Sequence, residues 1–109
     1  MRKNLEEKLV NVLAYVYKDV KWRKIRTKNA YDVFNHRVRA AAHRSTIYEF
    51  ISKLCNYFGL QSLPTEVMQD LDYLRKYENE VLNTLVSEHI PLSLKAILKA
   101  KKMKGEKTK

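Results

Sequence analysis

The sequence predicts an all-α protein, a compact bundle of four to five helices with a lysine-rich C-terminal tail. Apolar residues recur at helical spacing along most of the chain. The 109 residues include only two glycines and two prolines, too few for the tight turns of a many-stranded sheet. A hydrophobic content of 45% is ordinary for a globular protein and excludes a wholly disordered chain. We expect one helical-bundle domain over residues 1–98 and a basic, flexible tail over residues 99–109.

The first helix is predicted to run from about Leu5 to about Ile25. Asn4 is its expected N-cap, with Glu7 as the reciprocal partner three residues later. The apolar residues of its stripe follow one another at helical steps: Leu5, Leu9, Val12, Leu13, Val16 and Val20.

A second helix is predicted to begin near Asn29, because Thr27–Asn29 offer several capping side chains. The segment Thr46–Glu49 has a capping-box pattern, which indicates a new helix or a bend near Ser45. This pattern leaves open whether the second and third helices are continuous. The apolar stripe of the second helix consists of Ala30, Phe34, Val38 and Ala41.

The third helix is predicted to end at Gly59, with Leu60 placed to pack back on the last turn. Pro64 suits the first turn of a long fourth helix, where its missing N–H costs nothing. Pro91 either ends this helix or starts the next one. A short fifth helix follows and frays in the lysine-rich tail from Lys99. The stripe of the fourth helix consists of Val67, Leu71, Leu74, Val81 and Leu85, with Glu78 in the same row.

Charge is separated into blocks along the chain. The whole chain carries 22 lysines and arginines against 12 aspartates and glutamates, a net charge of +10. Residues 1–44 have a balance of +8, residues 45–94 of −4 and residues 95–109 of +6. These blocks predict a basic face, an acidic face and a basic tail.

The basic residues are the candidate binding site. In the densest cluster, between Lys18 and Lys28, six cations surround Trp22. Such a cluster can line a phosphate backbone while the indole stacks on an unpaired base. The arginines of the second helix fit backbone or base-edge contacts, although a merely solvated helix face would have the same composition. The predicted nucleic-acid-binding residues are Lys18, Lys21, Trp22, Arg23, Lys24, Arg26, Lys28, Arg37, Arg39, Arg44, Lys99, Lys101 and Lys102.

Few residues suggest catalysis or a cofactor. Asp32, His36 and His43 lie along one face of the second helix, but positions i and i+11 are about three turns apart, too far to bind one metal ion. The single cysteine, Cys55, lies on an apolar face and excludes a disulfide framework. No glycine-rich phosphate loop or nucleophile elbow is present. We therefore expect no enzyme activity, no cofactor and no metal.

Three resemblances to known proteins are limited to short or general features. Arg37 and His43 have the Arg-x5-His spacing of HEPN-type helical ribonucleases, which would imply ribonuclease activity. Residues 46–100 resemble the opening helices of a cyclin-type repeat of transcription factors, in the Phe58-Gly59-Leu60 helix end, the long helix and the Pro-Leu-Ser start after it. In length, helix content and charge the chain is similar to the small subunits of CRISPR effector complexes, which line a nucleic-acid strand. None of these features assigns a family.

The favoured function is that of a small non-catalytic nucleic-acid-binding protein, a subunit in transcription, packaging or an effector complex. The alternative is a protein-interaction module or oligomeric scaffold, whose acidic face binds a basic partner or a second copy. No apolar run reaches the roughly 20 residues of a membrane span, and peripheral membrane binding is a third hypothesis that we do not favour. We expect a cytoplasmic location, with nucleoid and nucleus also open. The acidic face is formed by Glu66, Asp70, Asp72 and Glu78.

Overall fold

The residues that the structure describes form five α-helices, which confirms the all-α prediction. The computed structural model describes residues 2–20, 27–43 and 45–108, with side chains as far as Met103, and contains no strand within these ranges. The radius of gyration is 13.1 Å, close to the roughly 13 Å of a compact domain of about 100 residues. The helices are α1 Lys3–Tyr17, α2 Lys28–Ala42, α3 Ile47–Phe58, α4 Thr65–Arg75 and α5 Glu78–Thr108.

Helix α1 lies at the centre of the bundle and packs against α3, α4 and α5. Its predicted apolar stripe is confirmed, because the five stripe residues from Leu5 to Val16 are all buried, and Val20 packs partly buried beside them. Ala14 and Tyr17 are buried as well, so most of the circumference of α1 is covered by the other helices.

The predicted bounds of the first helix are wrong at both ends. The helix begins at Lys3 after Arg2, which makes no side-chain capping bond. Asn4 is therefore not the N-cap; its Nδ2 instead donates to the hydroxyl of Tyr73, 3.3 Å away on α4. The helix ends at Tyr17, and the chain then turns, with the N–H of Val20 donating to the carbonyl of Tyr17 at 3.0 Å. Residues 21–26 lie outside the described residues.

Helices α2 and α3 are separate, which answers the question that the sequence left open. Thr27 caps α2, its Oγ1 accepting from the N–H of Ala30 at 3.2 Å. Thr46 caps α3 in the same way, its Oγ1 accepting from the N–H of Glu49 at 3.1 Å. The N–H of Ile47 lies in the first turn of α3 and has no acceptor within the helix. It donates to Oε1 of Glu78 at 2.6 Å.

The predicted glycine cap of α3 is confirmed. Gly59 has a φ of 75°, and the N–H of Leu60 donates to the carbonyl of Cys55 at 2.9 Å. The N–H of Gly59 points to the carbonyl of Asn56 at 3.4 Å. These are the two bonds of a Schellman motif, and Leu60 packs against the core as expected.

The prediction of one long fourth helix is wrong, because this segment forms two helices separated by a turn at Lys76 and Tyr77. Their N–H groups donate to Tyr73 and Leu74 at 3.2 and 3.0 Å, three-residue spacings that end α4 in a tight turn. The apolar rows on either side of the turn both face the core, so the periodicity continues across the break. The turn places Glu78 where its carboxylate reaches the start of α3.

Helix α5 continues through Pro91 and is distorted at Glu88, whose φ of −124° and ψ of 29° are not helical. Pro91 has no N–H and its ring would clash with the carbonyl four residues earlier in a regular helix, which accounts for the distortion. Pro91 therefore lies in the first turn of a new helical stretch, one of the two predicted alternatives. The predicted fraying from Lys99 is not observed, because the helix extends to Thr108 and Ala100 is buried. The domain boundary after residue 98 stays a prediction.

An aromatic cluster holds α2 and α3 against α1. Tyr17 is fully buried, and its ring meets those of Phe34 and Phe58 edge-on, at centroid distances of 5.1 and 5.3 Å. Phe34 and Phe58 also contact each other, at 5.7 Å. The hydroxyl of Tyr17 lies beside that of buried Ser93 on α5. Burial raises the pKa of Tyr17 above its ordinary value of 10.0, and the Ser93 hydroxyl lowers it by a smaller amount.

We expect Gly59→Ala to lower the free energy of unfolding by about 1 kcal/mol, because an L-residue with a side chain is strained at positive φ. A Cβ at this position would meet nothing within 4 Å, so the cost comes from the backbone alone. Asparagine tolerates this conformation, and Gly59→Asn is the control, with a smaller loss. Urea denaturation measures both; equal stability of Gly59→Ala and the unmodified protein would contradict the capping role.

We expect Tyr17→Phe to weaken the dependence of stability on alkaline pH. Because the pKa of Tyr17 is raised in the folded state, its contribution is complete below about pH 10 and is lost as the pH rises further. The loss for one such group approaches about 1.4 kcal/mol per pH unit. Denaturation measured from pH 8 to 11 should therefore show that the free energy of unfolding falls less steeply with pH in Tyr17→Phe than in the unmodified protein. Parallel pH profiles would rule out the raised pKa.

Candidate nucleic-acid interface

The structure describes seven of the thirteen predicted binding residues. Lys18 follows α1, and the others lie on α2 and on the last turns of α5. The described residues are Lys18, Lys28, Arg37, Arg39, Lys99, Lys101 and Lys102. The remaining six lie outside the described residues: Lys21, Trp22, Arg23, Lys24, Arg26 and Arg44.

Three of these cations are exposed on α2, on two flanks of the helix, since Arg37 lies about 160° around the helix axis from Arg39. The side of the helix between these flanks is covered, because Phe34 and Val38 are buried in the core. Lys28, Arg37 and Arg39 are therefore left in solvent. We call these three residues, together with exposed Lys53 of the adjacent α3, the α2–α3 cationic surface.

Within the described part of the chain, no ion pair involves a cation of this surface. The three ion pairs found there join α1, or Arg2 just before it, to α4 and α5. Their nitrogen–oxygen distances are 3.0 to 3.3 Å. The pairs are Arg2–Glu80, Lys8–Asp70 and Lys95–Glu6. Three described carboxylates thus pair with cations of the central bundle, whereas the cations of α2 and α3 form no ion pair in the part of the chain that the structure describes, although Asp32 and Glu49 lie on the same two helices.

The other predicted cations are in different surroundings. The Lys18 ammonium lies 4.0 Å from the centre of the Tyr15 ring, a cation–π contact. Lys99 donates to the side-chain oxygen of Asn11 on α1. Lys101 and Lys102 are exposed on α5. The structure therefore does not bring the described cations into one patch; it groups them on α2 and separately near the end of α5.

A surface cavity of about 260 Å³ opens between α2 and α3, next to Arg37 and Lys53 of the α2–α3 cationic surface. Tyr57 and Lys53 of α3 line it, and neither residue is in the predicted site. The guanidinium carbon of Arg37 lies 5.1 Å from the centre of the Tyr57 ring. Tyr57 is exposed and does not belong to the buried row of α3, but only helix packing shows that it lies close to Arg37. The cavity is lined by Arg37, Ala40, Ala41, Lys53, Leu54 and Tyr57.

The arginine and histidine of the ribonuclease-like spacing line different cavities. Arg37 faces α3, whereas His43 lines a cavity with Ser45 and Asn83, between the end of α2 and α5. Asp32 and His36 line a third cavity, beside Arg37 and without His43. The described residues contain no group of three or more histidine, cysteine, aspartate and glutamate side chains able to hold a metal ion. Cys55 packs partly buried against the core, and burial raises its pKa.

Most of the predicted acidic face is engaged within the chain. Asp70 pairs with Lys8 of α1, and Asp72 accepts a hydrogen bond from the hydroxyl of Tyr48, which raises the pKa of Tyr48. Glu78 caps α3 through the N–H of Ile47. Glu66 is exposed at the start of α4. Three of the four carboxylates therefore join helices of the same molecule.

The chain matches no protein-family model, and comparisons with curated proteins and with solved structures give no match. Among the described residues, none of the helices combines the length and the apolar character that crossing a bilayer requires.

We expect Glu78→Ala to lower the free energy of unfolding by about 1–3 kcal/mol, because the N–H of Ile47 would lose its acceptor in a partly buried place. Glu66→Ala, at an exposed carboxylate on the same predicted face, is the matched control and should change the free energy of unfolding by no more than about 0.5 kcal/mol. Thermal and urea unfolding measure both variants. Equal, small effects would show that Glu78 is free for a partner.

Proposed function

We propose that the protein binds nucleic acid without catalysing a reaction, with the α2–α3 cationic surface contacting the phosphate backbone. The supporting observation is the uneven pairing of charge. Arg2, Lys8 and Lys95 pair with carboxylates, whereas Lys28, Arg37 and Arg39 are exposed and form no ion pair within the described residues. Each phosphate that such a cation neutralises releases a condensed counterion, which favours binding at low salt.

The proposal extends to the basic cluster that precedes α2 in the chain and to the exposed lysines of α5. Lys28 begins α2, so the cluster is continuous in sequence with the described cations. A helix start is also the positive end of the helix dipole, which favours a nearby anion. We propose a role as a subunit in transcription, packaging or an effector complex in the cytoplasm, with a nucleoid or nuclear location also compatible.

A second candidate function is protein interaction, and an apolar surface rather than the acidic face supports it. Ile90, Leu94 and Leu98 follow one another at four-residue steps on α5, and each is about half exposed or more. Such a row of large apolar side chains is typical of contact surfaces. The acidic side chains support this function less, because Asp70, Asp72 and Glu78 already have partners in the chain.

We expect Arg37→Glu with Arg39→Glu to weaken nucleic-acid binding by about tenfold or more at low salt, because two phosphate contacts become repulsive. The slope of log Kd against log salt should fall by about one for each phosphate that the variant no longer neutralises. Fluorescence anisotropy with labelled duplex DNA, single-stranded DNA and RNA across a salt series measures both the affinity and the slope. Arg23→Glu with Lys24→Glu tests the preceding basic cluster in the same way.

The matched control is Arg75→Glu with Lys76→Glu, an identical change in net charge at exposed positions at the end of α4. It should change binding much less than the α2 variant. Circular dichroism checks that each variant keeps its helices. Equal losses of affinity in the two variants would show that only net charge matters, and an absence of binding by the unmodified protein at low salt would overturn the proposal.

A further inference from the structure

The cavity between α2 and α3 has an apolar floor and a polar rim. Leu54 and Ala41 form the floor and are buried, with exposures of 1% and 8%. Two consecutive alanines, Ala40 and Ala41, leave the space open because their side chains end at Cβ. The volume of about 260 Å³ lies just below the range of about 300–1,000 Å³ for sites that hold drug-sized ligands. The cavity therefore suits a group smaller than a drug-sized ligand.

Two flat groups form one wall of the cavity. The ring of Tyr57 is 47% exposed and is held edge-on against Phe58, at a centroid distance of 4.7 Å. The guanidinium of Arg37 lies over this ring, 5.1 Å from the ring centre, so that the two groups form one layered wall. Exposed aromatic rings and guanidinium planes are the groups on which proteins stack unpaired bases.

Lys53 supplies a positive charge at the edge of the same cavity. Its ammonium donates to Oγ of Ser45 at 2.8 Å, and it forms no ion pair within the described residues. An ammonium held in this way has further N–H groups with which it can bind an anion. An apolar floor, a stacking wall and two cations together match one nucleotide, with a hydrophobic base and a charged phosphate.

We infer that this cavity binds an unpaired base of a single-stranded nucleic acid, stacked against Tyr57 and Arg37, while Lys53 contacts the adjacent phosphate. The inference rests on the proposed function and adds the class of strand to it. In a duplex the base faces are covered by neighbouring base pairs, so a duplex can use only the phosphate contacts of this surface.

The test compares three labelled ligands of equal length at one salt concentration: a single strand, an abasic strand with the same phosphates, and a duplex. The single strand should bind more tightly than the abasic strand by about fivefold to a hundredfold, the usual range for one stacked base. Tyr57→Leu should lower the affinity for the single strand toward that of the abasic strand and leave the affinity for the abasic strand unchanged. The measurement is fluorescence anisotropy, with DNA and RNA strands tested separately.

Two variants control for effects on folding and on shape. Tyr57→Phe keeps the aromatic face and should retain the preference for the single strand. Ala40→Leu fills the cavity from an exposed helical position, without removing a charge, and should abolish that preference. Thermal unfolding confirms that the variants remain folded.

The outcomes separate this inference from the proposed function. If all three ligands bind equally well and Tyr57→Leu has no effect, while Arg37→Glu with Arg39→Glu still weakens binding, the base site is overturned and the phosphate surface stands. If no ligand binds even at low salt, both are overturned. Loss of single-strand preference in Tyr57→Leu and Ala40→Leu, with retention in Tyr57→Phe, supports the inference.

Discussion

The contact of Tyr17 with Phe34 and Phe58 is the interaction on which the candidate interface depends. It fixes the end of α1 against both α2 and α3, and each of the three rings touches the other two. Arg37 lies one turn after Phe34 on α2, and Tyr57 directly precedes Phe58 on α3. The contact between Phe34 and Phe58 therefore sets the distance between the two surface groups that form the stacking wall.

Polar contacts divide the molecule into two functional parts. On one side, pairs such as Lys8–Asp70 and the cap that Glu78 provides for α3 tie distant parts of the chain together. Individually, exposed ion pairs contribute little to stability, but together with the hydrogen bonds they engage four carboxylates of the acidic block: Asp70, Asp72, Glu78 and Glu80. On the other side, α2 and α3 carry cations that form no ion pair within the described residues. The ion pairs thus join α1 to α4 and α5, while the cations of α2 and α3 remain available to contact a ligand.

Local signals in the sequence predicted helix ends well where the partners lie within a few residues of each other. Thr27, Thr46 and Gly59 cap their helices as expected, since each bond spans at most five residues. The prediction failed where a distant contact decides the structure. The apolar row would suit one helix, but the chain turns at Lys76 and Tyr77 and Glu78 accepts a hydrogen bond from the N–H of Ile47, 31 residues away.

The sequence by itself determined the fold class, the core faces of α1 and α2 and the separation of charge into blocks, because helical periodicity and charge can be read from neighbouring residues. The tertiary structure alone decided which charges remain unpaired, how the long apolar row divides between α4 and α5, and that Tyr57 and Lys53 join Arg37 around a cavity. These features arise from side chains on different helices, and their proximity follows from packing rather than from spacing in the chain.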